Sequence, residues 1–294
     1  MKVLNFGSLN YDYVYAVDHI VKPGETTASA DLHTFCGGKG LNQSLALARA
    51  GVPVRHVGMV GEDGERLLEV CRESGVDVSL VGTLPGKSGH TVIQVDRKGQ
   101  NCILLYGGSN RGIPREYVEK VLSGFSEGDV LLLQNEVNEV PVILDLAFKK
   151  KMRVAFNPSP FDENVLACDL SKVSMFFVNE VEGLALTGER EPDRILDRMQ
   201  ERFPDATCVL TLGRDGAVCL ADGARLRQPV FPAKSVDTTG AGDTFTGFFL
   251  SEVLRGGSLE EAMRLASQAA AVAVSRKGAA ASIPTLEEVR SRFG

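Results

Sequence analysis

Residues 237–249 read Asp-Thr-Thr-Gly-Ala-Gly-Asp-Thr-Phe-Thr-Gly-Phe-Phe, a glycine-rich turn running directly into a helical stretch. The N–H groups of Gly240, Ala241 and Gly242 fall at the helix start, where no earlier turn supplies carbonyl partners. With the positive end of the helix dipole they form an anion site suited to the oxygens of a transferring phosphoryl group. Small residues let such a group approach the backbone closely. Asp243, in the first turn, is placed to take a proton from an attacking hydroxyl, so charge stabilisation and a base stand side by side. An Asp in a first turn is also an ordinary helix cap, and this stretch alone does not separate the two readings.

Upstream, short apolar runs alternate with amphipathic stretches. Strands are expected at Val3–Phe6, Val54–Val60, Val130–Leu133, Val154–Phe156, Met175–Val178 and Cys208–Leu212. Helices are expected at Leu41–Ala50, Gly64–Ser74, Arg115–Leu122, Val140–Lys150, Pro192–Arg202, Asp243–Leu254 and Leu259–Ser275. Such alternation predicts an α/β fold of three layers, α/β/α, around a mainly parallel sheet. Two places break it. Tyr13–Val17 with Thr27–Phe35, and Gly89–Val95 with Ile103–Tyr106, read as strands joined by the turns Lys22-Pro23-Gly24 and Arg97-Lys98-Gly99. They predict a small β-sheet lid inserted at 11–35 and 88–107, the plainer alternative being an antiparallel extension of the main sheet. With no repeat, low-complexity tract or linker, residues 1–294 read as one domain.

Bulk properties exclude several classes. A net charge of −6 lacks the basic field of a nucleic-acid binder. The six cysteines form no CxxC pair and no metal-ligand spacing, which predicts free thiols and a reducing cytoplasm. The opening MKVLNFGSLN has no signal-peptide apolar region, and no apolar run reaches the roughly 18 residues of a membrane span. A cytoplasmic protein without membrane contact is expected.

A second glycine turn, Cys36-Gly-Gly-Lys-Gly-Leu-Asn-Gln-Ser, opens a helix with Lys39 and Asn42 in its first turn. Asn10 and Asp12 alternate along an extended segment and so point to one side. A carboxylate and two amides converging on a cleft suit a polyol, because one carboxylate can accept from two hydroxyls. Each residue taken singly also reads as a loop or cap residue. Gly37-Gly38-Lys39-Gly40 is not a P-loop, since no glycine stands five residues before Lys39 and Leu41 replaces the Ser or Thr. Gly107-Gly108-Ser109-Asn110 likewise fails the dinucleotide fingerprint.

Together these stretches resemble the PfkB carbohydrate kinase family, within it the ribokinase branch. Gly37–Gly51 is similar to the family's N-terminal signature and Asp237–Phe249 to its C-terminal one. The resemblance implies sugar-binding roles for Asn10, Asp12, Gly38, Lys39, Asn42 and Glu136, with Asp243 as base above the Gly240–Gly242 anion hole. It implies that Asn179 and Glu182, an Asn-x-x-Glu motif, handle Mg²⁺ and phosphate oxygens largely through water, as suits a cation that keeps its hydration. Thr211-Leu212-Gly213-Arg214-Asp215-Gly216 resembles the nucleotide-binding turn, Gly242 stands at the phosphates, and Ser267 matches a position near the adenine. A K⁺ loop would correspond to Asp237, Thr239, Ala273, Arg276, Gly278 and Ser282.

The implied reaction is ATP-dependent phosphorylation of a sugar's primary hydroxyl, D-ribose to D-ribose 5-phosphate. Alternatives in the same class are a fructokinase-like enzyme, a deoxyribokinase or another sugar kinase, and a nucleoside kinase. The last would want a stacking surface, and the chain has no Trp, with Tyr11, Tyr13, Tyr15 and Phe35 as the lid aromatics. A sugar- or nucleotide-sensing pseudokinase would predict a lost base, anion hole or Asn-x-x-Glu, and all three are present. Departures from the family pattern at Leu41, at Asn135 before Glu136 and at Gly107–Arg111 bear on which sugar is bound. Exposed lid strands need cover for edges and apolar face, which predicts a lid-to-lid homodimer.

Overall fold

Every apolar run proposed above as a strand becomes one in the computed structural model, which describes residues 1–294. The first half runs β1 (Val3–Phe6), β2 (Asn10–Ala16), β3 (Asp31–Gly37), α1 (Lys39–Arg49), β4 (Val54–Val60), α2 (Glu65–Glu73), β5 (Asp77–Thr83), β6 (Gly89–Val95) and β7 (Asn101–Tyr106). Next come α3 (Arg115–Ser123), β8 (Val130–Gln134), α4 (Val140–Lys149), β9 (Arg153–Asn157), α5 (Glu163–Leu166), β10 (Met175–Asn179) and α6 (Glu180–Thr187). The chain ends with α7 (Pro192–Arg202), β11 (Thr207–Thr211), β12 (Ala217–Ala221), β13 (Ala224–Gln228), α8 (Ala241–Leu254), α9 (Leu259–Ala273) and α10 (Leu286–Phe293).

The nine-stranded sheet has the order β13-β12-β11-β10-β9-β8-β1-β4-β5. From β11 to β5 every pairing is parallel, and β12 and β13 add an antiparallel hairpin at one edge. Parallel strands need cover on both faces, and alternate residues supply it. Leu4, Phe6, Leu131 and Leu133 join one core cluster, while Val3 and Leu132 join the other. Each cluster holds 34 buried residues, so neither face is left bare.

The lid is a separate sheet of order β3-β2-β6-β7, and no strand pairing joins it to the main one. That excludes the antiparallel extension. β7 is exposed along its whole length, with Ile103, Leu104, Leu105 and Tyr106 all open.

Elements not anticipated above have weak local signals. The β12–β13 hairpin turns on Asp222-Gly223, both at positive φ, an Asp-Gly signal of a primed turn. In β5, exposed and half-buried residues are mixed along an edge strand, and α6 has almost no apolar stripe.

Helices α1 and α8 cross on one face of the sheet at very close range. A Cβ added at Gly247 would lie 2.3 Å from Ala46 Cβ and 2.9 Å from the Leu47 backbone nitrogen. Only glycine lets the two backbones meet this closely, and that contact brings the start of α8 beside the start of α1. Gly247→Val should therefore cost about 1–3 kcal/mol of stability by overpacking. Urea unfolding and turnover measured together should show both falling.

Candidate active site

The polar residues named from sequence gather at the carboxyl ends of the parallel strands. β1 ends before Ser8 and Asn10, β8 before Asn135 and Glu136, and β9, β10 and β11 end on Asn157, Asn179 and Thr211. From β1 the chain builds outward through β4 and β5, then returns to place β8 on the other side of β1. The crevice at such a switch in strand order is where open α/β sheets bind ligands. Ser8, Asn10 and Glu136 lie there.

Asp243, 7% exposed, is held on both carboxylate oxygens. Asn42 Nδ2 donates to Oδ2 at 2.9 Å, and Gln43 Nε2 donates to Oδ1 at 2.9 Å. Gly240 precedes the helix at φ 74°, a left-handed conformation that suits glycine. The anion site differs in one donor from the sequence expectation. Ala241 N–H is already bonded to Thr238 O at 3.2 Å, because the chain makes a tight turn before the helix. The N–H groups of Gly240, Gly242 and Asp243 make no hydrogen bond within the protein. The open donors are thus 240, 242 and 243.

Around this carboxylate the sugar-side candidates converge. Burial works against the charge of Lys39, but the carboxylates of Asp243, Glu136 and Glu182 outweigh it and hold the ammonium above its usual pKa. Glu136 accepts from Ser8 Oγ and from Lys39 N–H, the latter at 2.8 Å. Burial pushes its pKa up, against the pull of Lys39 and these hydrogen bonds. Asn10 is buried, and its Oδ1 accepts from Asn110 Nδ2 at 2.6 Å, which leaves its own amide to donate. On the same face of the lid strand, Asp12 accepts from Thr91 Oγ1 at 2.5 Å. Burial raises its pKa, partly offset by Thr91. Gly38 leads directly into α1, so Lys39 and Asn42 share its first turn.

On the nucleotide side, Asn179 and Glu182 form a complete capping box on α6. Asn179 Oδ1 accepts from the amides of Val181 and Glu182, and Glu182 Oε2 accepts from Asn179 N–H at 2.8 Å. Glu182 is nonetheless buried and spends only one oxygen on the cap, the other making no hydrogen bond within the protein. No group of three or more His, Cys, Asp or Glu side chains converges as a metal cage. The turn after β11 runs through Thr211, Leu212, Gly213, Arg214, Asp215 and Gly216, closed by Leu212 N–H to Gly216 O at 2.8 Å. Ser267 is buried in α9, which packs against β12 and β13 beside that turn.

The proposed cation loop is tied together by Asp237. Its Oδ1 accepts from Thr239 N–H and Oγ1 at 2.9 and 2.7 Å, and its Oδ2 accepts from Gly278 N–H at 2.9 Å. Burial works to raise its pKa, but these hydrogen bonds and nearby Lys277 hold it below the usual carboxylate value. Ser282 Oγ is turned to Ala279 O, Arg276 pairs with Glu288, and Arg276 N–H reaches Ala273 O. Asp237 is the only carboxylate among the six residues proposed for the loop.

Sequence reading missed Ser8, Gln43 and Asn110, which hydrogen-bond to Glu136, Asp243 and Asn10, and Gln134 and Asn157, which bond to Gln43 in turn. Their signal was an amide or hydroxyl inside an otherwise apolar run, as in Leu41–Leu47 and Val130–Gln134.

A family model described as pfkB family carbohydrate kinase matches residues 1–286. The ribokinase of Haemophilus influenzae is 33% identical over 292 residues, covering 96% of this chain and 95% of that one. The crystal structure of ribokinase from Cryptococcus neoformans in complex with ADP superposes with a TM-score of 0.87 at 31% identity, covering 99% of each chain. That of Arabidopsis thaliana ribokinase with ribose and ATP does so at 0.85 and 28% identity, covering 99% of this chain and 97% of the other. This chain belongs to the pfkB family of carbohydrate kinases.

The raised pKa of Asp12 gives a stability prediction with a definite sign. The fold favours its protonated form, so that contribution is full below the ordinary Asp value and is lost as pH rises through the raised one. Asp12→Asn should therefore melt higher than the unaltered protein at neutral pH, the gap closing on acidification. The same variant should bind sugar at least about tenfold more weakly, having lost a charged acceptor. Thermal melts across pH, paired with sugar KM, check both signs.

Proposed function

We propose that the protein transfers the γ-phosphoryl group of ATP to the primary hydroxyl of D-ribose, giving ADP and D-ribose 5-phosphate. The observation that carries this reading is Asp243, clamped on both oxygens by α1 beside three open N–H donors at the start of α8. The ribokinase relatives, including one solved with ribose and ATP, supply the substrate pair.

Asn10, Asp12, Lys39, Asn42 and Glu136 bind the sugar hydroxyls and turn the primary one toward Asp243. The hydroxyl oxygen attacks the γ-phosphorus in line, its proton passes to Asp243, and the bond to the β–γ bridging oxygen breaks to release ADP. The open amides of Gly240, Gly242 and Asp243, with Lys39, stabilise the charge on the phosphoryl oxygens. The 211–216 turn and Ser267 hold the nucleotide. Mg²⁺, reached through water from Asn179 and Glu182, would neutralise phosphate charge. K⁺ at Asp237 and the carbonyl-bearing residues Thr239, Ala273, Arg276, Gly278 and Ser282 would order the loop before α8. The lid closes over the sugar and excludes water, limiting ATP hydrolysis. Its exposed apolar strand β7 packs against a second copy, making a homodimer in the cytoplasm.

Asp243→Asn should fold normally and lose roughly 10²–10⁴-fold in turnover. A coupled ADP-release assay over ribose, deoxyribose, fructose and adenosine should show ribose preferred and K⁺ stimulating. Near-normal turnover in Asp243→Asn would remove the base assignment, and no turnover on any acceptor would favour a sensor. Leu104→Lys, placing a charge in the lid face, should convert the dimer to monomer in sedimentation. An unchanged mass would place the interface elsewhere.

A further inference from the structure

Behind Asp243 lie Asn5, Gln43, Ser44, His56 and Gln134, five polar side chains with no solvent exposure. Burying amides and an imidazole where leucine would pack is costly unless every group is paired and directed. Here the pairing has one direction. Gly7 O can only accept, so His56 Nε2–H donates to it at 3.1 Å and Nδ1 is left as an acceptor. Burial pushes the His56 pKa down to about 4, which keeps the ring neutral as this pattern requires. Ser44 Oγ–H then donates to His56 Nδ1 at 2.8 Å and accepts from Asn5 Nδ2 at 2.8 Å. With its amide nitrogen so placed, Asn5 turns Oδ1 to Gln134, whose Nε2 donates to it at 3.0 Å and to Gln43 Oε1 at 2.6 Å. Gln43 must therefore aim Nε2 the other way, at Asp243 Oδ1 and at Asn157 Oδ1. Asn157 agrees from its own side, since its Nδ2 is committed to Phe177 O at 2.8 Å.

We infer that Gln43 is a positioning residue for phosphoryl transfer, locked by this relay into the one amide orientation that donates to Asp243. A glutamine free to turn over would place Oε1 against the carboxylate, oxygen to oxygen, and swing the base away from the sugar hydroxyl. The relay removes that alternative. A second observation supports it: Gln134 Oε1 is buried with no partner. Turning Gln134 over would set its Oε1 against Asn5 Oδ1 and Gln43 Oε1, so both donations stay directed. Asn42 holds the other oxygen of Asp243 from one residue earlier on the same helix. The two amides together set the plane of the carboxylate, and only Asn42 has been given a sugar as well.

This inference rests on Asp243 as the base, and the experiment separates the two. Gln43→Met keeps the side-chain length and removes the donor; Gln43→Glu keeps the shape and replaces donor with acceptor. With ribose and ATP, either variant should lose roughly 10–100-fold in kcat, the scale of a misplaced catalytic group. KM for both substrates should stay within about threefold, because Gln43 touches neither. Melting curves identify the folded variant to use, and if Gln43→Met unfolds, Gln43→Glu carries the comparison. In the Asp243→Asn background, Gln43→Met should leave residual turnover within about twofold, since there is no base left to position. Normal kcat in a folded Gln43 variant overturns the inference, as does an equal loss in the Asp243→Asn background. If Asp243→Asn itself turns over normally, the base assignment fails first.

Discussion

Two side chains of one helix grip a carboxylate that begins another. Asn42 and Gln43 on α1 reach the two oxygens of Asp243 on α8, and the arrangement depends on Gly247 letting those helices touch. Were α8 displaced by the width of a methyl group, the clamp would open and the helix start would leave the strand ends. The proposed anion site, base and sugar-binding side chains come from four distant parts of the sequence, and this contact puts them in register.

Charge in the crevice follows from the same geometry. Asp243, Glu136 and Glu182 act on one half-buried lysine, and burial pushes the pKa of both Asp12 and Glu136 up. The crevice therefore holds carboxylates under conditions the fold disfavours, a cost that hydrogen-bond donors facing them would relieve. Its neutral counterpart is the amide relay from His56 to Gln43, which supplies direction without charge. Charged groups face the crevice, and uncharged ones stand behind them.

Much of this was legible in the sequence. Alternating apolar runs located the parallel sheet because buried strands leave a strong pattern, and the turn-separated strands at 11–35 and 88–107 marked the lid. The glycine-rich helix start at 240–243 showed where backbone donors face outward, and the one at 38–42 where the side chains of Lys39 and Asn42 gather. Strand partners across the sheet were not legible, nor were residues whose role depends on them. Gln43 reads as a poor choice in an apolar helix until Asp243, two hundred positions later, is folded against it. Ala241 was misread for a related reason: whether an amide at a helix start is open depends on the turn before it, here one that gives it Thr238 O. The hairpin at Asp222-Gly223 was signalled locally but carried no alternation strong enough to compete with the longer runs around it.

The central claim is that Asp243 faces the primary hydroxyl of ribose when the phosphoryl group moves. Incubation with ATP and uniformly ¹³C-labelled ribose, followed by NMR of the product, tests it directly. Phosphorus coupling at C5, with equimolar ADP, is the predicted result. Coupling at C1 or C3, or ADP formed with no phosphorylated sugar, would contradict it.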